Sequence, residues 1–437
     1  MKGVPKVLIV GTVPYNKATT ARAFEAYFHG WDRNCLAQVF SNSKKPVKGH
    51  CQQLLQITDK RLLQRWFNPH VQVERCFDYE ELEEAWVDRD REVGAGIYNK
   101  LYEAGARKTP FVYLARGILW RKEFWCNAAF NQWLDDFAPE CVFLSFSDDF
   151  FIPRIALYVA QRYNIPIVSS IGDDYYFNSR FSFSPLYHIY KHSYRKLIRK
   201  VFAHGGSAIY ISDKIRDKYN SEFGLDGETV YLTSELTRKP FAPINQESPV
   251  ISYFGNIGVG RNESLNEIGM VLGKISADYK IRIYSGQQDP KEIKVFDGNA
   301  NVEFCGSIPY AQVMEKTHES DVVVIVEGFK PEDVNTTRYS LSTKAADSLA
   351  SGAQILVYGS PECGVIEYMQ GTKSAAVCTE PEKLEQCIRE LLQNQEAQIR
   401  YYENAVEITH KHHNLESSTR VFRGVVEKAI EGYGKQH

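Results

Sequence analysis

No stretch of about 18 consecutive apolar residues occurs in the chain, so nothing in it is expected to span a bilayer. The opening segment offers only Val7 to Val10 as an apolar run, too short for a signal peptide, and the mature chain is expected to begin at Met1. An excess of charge is also lacking. With 52 Lys+Arg against 54 Asp+Glu the formal net charge is -2, which gives no global field to hold nucleic acid. The nine cysteines are scattered, without a Cys-x-x-Cys pair, and several, such as Cys141 and Cys378, sit in apolar runs where a thiol acts as a small hydrophobe. That usage points to a reducing cytoplasm and to no zinc. Internal repeats and low-complexity tracts are missing. What is present is 437 residues, 43% hydrophobic and 24% charged, too long for one small core and too apolar for disorder.

Short apolar runs recur between helical patterns: Val7-Leu-Ile-Val, Val142-Phe-Leu-Ser, Ile165-Pro-Ile-Val-Ser, Ala208-Ile-Tyr-Ile-Ser, Ile251-Ser-Tyr-Phe, Ile281-Arg-Ile-Tyr, Val322-Val-Val-Ile-Val and Gln354-Ile-Leu-Val-Tyr. Continuous runs of this kind suit strands covered on both faces, and their alternation with helices predicts an α/β chain with parallel sheets. Prolines at 240, 243 and 249 mark a break, after which the strand pattern restarts at Ile251. Two doubly wound, Rossmann-like domains are expected, residues 1–240 with a helical insertion between Phe77 and Phe137, and residues 250–400, facing each other across a cleft. Residues 401–437 are expected to form a helix packing back across both. His410, His412 and His413 in that tail are read as solvated, and the Asp88-Arg-Asp90 triplet as part of a charged helical surface.

Two glycine-bearing segments carry candidate chemistry. Tyr253-Phe-Gly255-Asn256-Ile-Gly258-Val-Gly260-Arg261 is a strand, a glycine-rich turn and a helix start. Glycines allow close approach of an anion, a helix N-terminus offers unpaired amides, and Arg261 suits a diphosphate; compact packing alone is the competing explanation. An NAD site fits worse, because glycines 255, 258 and 260 lack the G-x-G-x-x-G spacing. In Ser342-Thr343-Lys344-Ala-Ala-Asp347, Ser342 or Thr343 is placed to cap a helix ending at Gly352. Lys344 then adds positive charge at its start, and Asp347 suits a ribose diol; a capped surface helix is the alternative.

A third segment, Tyr175 to Ser212, contains no Asp or Glu. Pro185 opens a helix with Tyr187, Tyr190, Tyr194 and Ile198 on one face and Lys191, Arg195, Lys196, Arg199 and Lys200 expected on the other. Over residues 184–204 this face suits an anionic lipid surface, at about 1 kcal/mol per basic residue, or else lies in water above an aromatic face packed on the sheet. No stacking platform accompanies the charges, so nucleic acid is not an expected partner.

The order of Gly255 to Arg261, Val302-Glu-Phe-Cys-Gly306, Asp321 to Gly328 and Ser342 to Gly352 resembles the donor-binding domain of GT-B glycosyltransferases, nearest to the retaining family 4. The resemblance covers about 250 to 360; the first domain is similar more loosely, through Gly11-Thr12-Val-Pro14 and Ile171-Gly-Asp173-Asp174. It implies a hexosyltransferase that moves a sugar from a nucleotide-sugar donor to a sugar or lipid-linked sugar hydroxyl, in surface polysaccharide or glycoconjugate synthesis. No cofactor and no metal requirement is implied, and the placement expected is cytoplasmic, peripheral on the inner membrane face. Arg261 and Lys344 are implied to stabilise the departing diphosphate, with Gly255, Asn256, Gly258, Ser342, Thr343 and Asp347 binding the donor. Gly11 and Thr12 fall on the acceptor side, where Asp173 and Asp174 suit sugar hydroxyls or a general base, or else a loop cap. The family's paired glutamates are not kept: Tyr339 stands at the first and Asp347 at the second, leaving Glu327 or Lys344 as substitutes. Two other readings stay open, a nucleotide-sugar epimerase of the same fold and a catalytically degenerate partner subunit.

Overall fold

Apolar runs too short for a helix and bounded by glycine or polar turns become buried strands, and they set the frame here. The computed structural model describes residues 3–15, 21–42, 46, 49–78, 109–179 and 182–436. Trp86, Asp88 and Asp90 of the expected helical insertion lie outside the described residues. The chain divides into two units, one of residues 1–230 with 419–437, the other of residues 231–418.

The first unit holds an eight-stranded sheet in the order β4-β3-β2-β1-β5-β6-β7-β8. Its strands are β1 (Val7–Val10), β2 (Leu36–Phe40), β3 (Gln53–Ile57), β4 (Glu74–Asp78), β5 (Cys141–Ser145), β6 (Ile167–Ile171), β7 (Gly206–Tyr210) and β8 (Glu228–Thr229). All neighbours run parallel except β3 and β4. β2 and β3 bear no clean apolar signature because each buries a glutamine. Gln38 accepts from the Tyr15 amide (3.2 Å) and donates to Val13 O (3.3 Å), while Gln56 donates to Asn42 O (2.9 Å). Buried amides of this kind are tolerated inside a sheet when hydrogen-bonded, Gln38 through both of its functions and Gln56 through its amide nitrogen.

The second unit holds a six-stranded, wholly parallel sheet ordered β11-β10-β9-β12-β13-β14. These strands are β9 (Ile251–Phe254), β10 (Ile281–Tyr284), β11 (Val302–Gly306), β12 (Val322–Val326), β13 (Gln354–Tyr358) and β14 (Ala376–Cys378). Ile251, Tyr253, Val324, Leu356 and the helix residues Leu265, Ile268 and Leu272 form its core. Both sheets are thus Rossmann-like, with crossover helices between parallel strands.

The proline-bearing segment is not a free linker. Arg238 donates to Leu349 O (2.6 Å) and Ala405 O (3.1 Å), and the Lys239 amide donates to Ser351 O (3.0 Å). The change of unit therefore falls at Val230–Tyr231, ahead of the prolines rather than among them. The tail also differs from one continuous helix: it is two, Gln395–His412 in the second unit and Leu415–Gln436, most of which belongs to the first. Phe422 of the last helix is fully buried against Phe28, Trp31 and Phe143. His412 and His413, expected in solvent, are held at the turn between the two helices. His413 is buried, paired with Leu232 O (2.6 Å) and the Tyr368 hydroxyl (2.8 Å), and His412 stacks on Tyr231.

Candidate active site

In the second unit, β9 delivers Tyr253 and then breaks into the glycine turn. Gly255 has φ +128°, and a Cβ there would lie 2.4 Å from Lys344 Cε and 2.6 Å from its Nζ, so only glycine leaves space for that amine. The Lys344 residue is only part-buried, but its amine is packed between Gly255 and the Tyr253 ring, 4.3 Å from the centroid. It donates to the Tyr253 hydroxyl (2.8 Å), which in turn donates to Asn256 O (2.5 Å). Burial of the amine, reinforced by Arg261 and opposed by Glu327, pulls its pKa down to about 7.

Arg261 opens the Arg261–Ile275 helix and is ion-paired to Glu327, which follows β12, with Nη2 2.8 Å from Oε2 and donating to Oε1 at 3.0 Å. Only the Oε1 contact has hydrogen-bond geometry; Oε2 is held by charge alone. Burial lowers the Arg261 pKa, yet the Glu327 charge outweighs it and the guanidinium stays protonated. Burial raises the Glu327 pKa against the pull of Arg261 and Lys344. Among the described residues Arg261 uses one nitrogen on Glu327, and its remaining N–H groups have no hydrogen bond.

Some amides of this turn and of the helix start are used internally, while among the described residues those of Asn256, Ile257, Val259, Gly260 and Arg261 make no hydrogen bond. Asn256 Oδ1 accepts from the Gly258 amide (2.9 Å), the Asn262 amide donates to Ile257 O (2.8 Å), and Asn262 Oδ1 takes the Glu263 amide (2.9 Å). At Gly260, φ +71°, a Cβ would fall 2.3 Å from Asp333 Oδ2. Val259 has φ +62°, a costly conformation for a β-branched residue, of the kind that persists only where surrounding structure enforces it.

The Lys344–Ser351 helix has Thr343 at its N-cap with no side-chain cap bond; Ser342 Oγ instead accepts from the Lys344 amide at 3.4 Å. Gly352 ends it in the left-handed conformation. Asp347 lies in the first turn, where its Oδ1 accepts from the Ser234 hydroxyl (2.7 Å). Arg261, Lys344, Gly255 and Glu327 are therefore brought together around Tyr253. Tyr253 carries no sequence signal beyond strand propensity, and Asp333 none beyond a surface-helix pattern.

In the first unit, Asp173 and Asp174 follow β6, while Gly11 and Thr12 follow β1, at the carboxyl edge of that sheet. Asp174 is a loop cap: its Oδ1 accepts from the amides of Tyr176 (3.1 Å) and Phe177 (2.8 Å) and from the Tyr219 hydroxyl (2.8 Å). That leaves no acceptor capacity at that oxygen for a substrate proton. Asp173 is exposed, 3.4 Å from the Tyr175 hydroxyl. Gly11 packs on Ser145, and Thr12 O accepts the Ser41 and Asn42 amides. The basic helix differs from expectation. Lys191 donates to Tyr175 O (3.0 Å), Arg195 to Tyr176 O (3.0 Å) and Arg199 to the Tyr176 hydroxyl (2.7 Å), so three of its cations fasten the loop after β6. Burial lowers the Lys191 pKa to about 8. A neighbouring group that motif reading missed follows β5, where Asp148 accepts from the Tyr113 hydroxyl and Asp149 is ion-paired to Arg116 (2.7 Å).

The sequence matches no family model and no curated protein. Solved structures do match. HepE of Anabaena, solved in complex with UDP, has a TM-score of 0.58 at 9% identity, over 97% of this chain and 100% of that one. Sucrose-phosphate synthase of Thermosynechococcus elongatus has 0.57 at 10% identity, over 98% of each chain. A glycosyltransferase of Rickettsia africae has 0.54 at 12% identity, over 98% of this chain and 97% of that one. The fold is GT-B. Within a GT-B chain, the Arg261–Lys344 cluster stands in the carboxyl-terminal Rossmann-like unit, beside the ends of β9 and β12. Ligands of open parallel sheets bind at such strand ends. Among the described residues no helix is long and apolar enough to cross a membrane.

Proposed function

We propose that this protein is a glycosyltransferase that binds a nucleotide-sugar through its second unit and passes the sugar, with retention, to a sugar or lipid-linked sugar hydroxyl. The observation that carries the reading is the pair of cations, Arg261 and Lys344, held around one buried tyrosine beside a glycine turn. Cleavage of the donor leaves negative charge on the departing diphosphate, and fixed cations in a poorly hydrated pocket stabilise that charge where it develops. Glu327 keeps Arg261 oriented while leaving its other N–H groups for phosphate oxygens. Lys344 enters the free site as a poised amine and becomes an ammonium when the diphosphate arrives. The likeness to HepE, whose structures hold UDP and UDP-glucose, supports a nucleoside diphosphate as the ligand. On the acceptor side, Asp173 and Asp174 are the carboxylates proposed to meet the acceptor hydroxyl, Asp173 exposed after β6 and Asp174 with its Oδ1 taken up by the loop.

Transfer is tested by incubating the protein with nucleotide-sugars, with and without sugar acceptors, and following nucleoside diphosphate release. Acceptor-dependent release is expected. Epimerised donor without acceptor would assign an epimerase, and no turnover with intact diphosphate binding a degenerate partner subunit.

Contact with an anionic lipid surface belongs to the same proposal. Phe183, Leu186 and Ile189 are exposed where the Pro185–His204 helix begins, and Lys196 and Lys200 remain exposed along it. Anionic vesicles are expected to sediment the protein at low salt and neutral vesicles to leave it in solution; indifference to both rejects the contact.

A further inference from the structure

The segment after β12 carries an acidic residue for which the proposed chemistry has no use. Glu327 and Gly328 lead from β12 toward the short helix Pro331–Thr337, whose first turn holds Asp333. The Asp333 carboxylate is seated against bare backbone on two sides. A Cβ at Gly260 would fall 2.3 Å from Asp333 Oδ2, and a Cβ at Gly328 would fall 2.8 Å from the same oxygen. Gly260 is the N-cap of the Arg261–Ile275 helix and immediately precedes Arg261, so the carboxylate stands at the turn proposed for the diphosphate.

Both elements hold it there. Val334, next to Asp333, is buried, Thr337 Oγ1 donates to Asp333 O (3.2 Å), and Lys330 is ion-paired to Glu263 in the first turn of the longer helix. Ser264 of that helix donates to Glu327 O (2.9 Å). Among the described residues the Asp333 carboxylate itself makes no hydrogen bond and no ion pair. A carboxylate that merely capped the helix would accept from first-turn amides, and none of them donates to Asp333. Burial and Glu332 raise its pKa while Lys330 opposes them, and with one side open to water the group is an anion at neutral pH. The cations Arg261 and Lys344 are thus accompanied by the carboxylates Glu327 and Asp333, of which only Glu327 is paired.

We propose that Asp333 is a specificity-determining residue that discriminates by charge between nucleotide-sugar and free nucleoside diphosphate, easing release of the product. The role rests on the nucleotide-sugar reading of the same site. A nucleotide-sugar carries two negative charges on its diphosphate. Transfer breaks the bond between the sugar carbon and the terminal phosphate oxygen, the electron pair stays on that oxygen, and the nucleoside diphosphate bears a third charge near neutral pH. Arg261 and Lys344 attract all three charges, so cations alone would hold the product more tightly than the donor. A fixed negative charge beside the turn opposes the third charge where it is complete, in the product, and weighs less on the donor.

The test is calorimetric titration of nucleoside diphosphates and their hexose conjugates, such as UDP and UDP-glucose, into the native protein, Asp333→Asn and Asp333→Ala. Circular dichroism confirms the fold of each. Asn keeps the shape of the side chain and Ala removes it, so a shared effect belongs to the charge. Both variants are expected to gain about threefold to tenfold more affinity for the diphosphate than for the conjugate, the scale of one unit charge in partly screened surroundings. The difference is expected to shrink as salt is raised. Equal gains for both ligands, no gain, or weaker binding of both by the folded variants overturns the role of Asp333 and leaves the nucleotide-sugar reading standing. Native protein that binds neither kind of ligand overturns that reading, and this role with it.

Discussion

At the scale of single residues, the second unit places an ion pair and a poised amine in one small volume, and the amine dictates how binding depends on pH. Lys344 has a folded pKa near 7 against an ordinary 10.5. The unfolded chain therefore holds more protons between these values, and this group's contribution to stability rises with pH across that window. Binding runs the opposite way, because a diphosphate selects the ammonium. Nucleoside diphosphate affinity is expected to fall by about tenfold per pH unit above pH 7, with one proton taken up, and Lys344→Met is expected to flatten that slope. Calorimetry in buffers of different ionisation enthalpy counts the proton. Tyr253→Phe removes the acceptor of Lys344 and is expected to cost about 1–3 kcal/mol in urea unfolding, the scale of a buried group left unsatisfied. The sequence singled out Arg261 and Lys344 as cations in glycine-bearing segments, and the structure brings both to Tyr253. The Glu327 pairing was not legible, since 66 residues separate it from Arg261. Nor did the sequence distinguish Asp173 from Asp174, because adjacent aspartates differ only in which way the loop turns them.

At the scale of elements, every apolar run read as a strand is one, while β2, β3, β4, β8, β11 and β14 escaped. Buried glutamines disguise the first two, and β14 is three residues long. The Pro185–His204 helix was legible in extent and in its tyrosine face, but not in the fate of its cations. A long basic side chain reaches either solvent or a carbonyl, and here the loop after β6 supplies carbonyls within reach. The glycine turn after β9 has a sharper consequence. Gly255→Ala places a methyl group where the Lys344 side chain lies and adds an unfavourable φ, so about 1–3 kcal/mol of stability and most of the diphosphate affinity are expected to be lost together. Thermal unfolding and titration of that variant check both. Full affinity in a folded Gly255→Ala protein would separate Lys344 from the ligand.

At the scale of the molecule, two Rossmann-like units share one chain that leaves the first at Val230 and returns to it at Thr419. Composition and strand alternation made the two-sheet plan legible; the exchange of the last helix was not, because amphipathic spacing shows that a helix has an apolar face without saying which surface receives it. Phe422 supplies that answer, and Phe422→Ala is expected to destabilise the first unit by about 3–5 kcal/mol, read by hydrogen exchange of β1 and β5. The central claim, that Arg261 and Lys344 grip a diphosphate in the second unit, is tested most directly by calorimetric titration of UDP and the other nucleoside diphosphates into the native protein and Arg261→Ala. Saturable binding of at least one diphosphate, weakened by about 2–4 kcal/mol in the variant, is the predicted result. No binding of any diphosphate, or equal binding by both proteins, contradicts it.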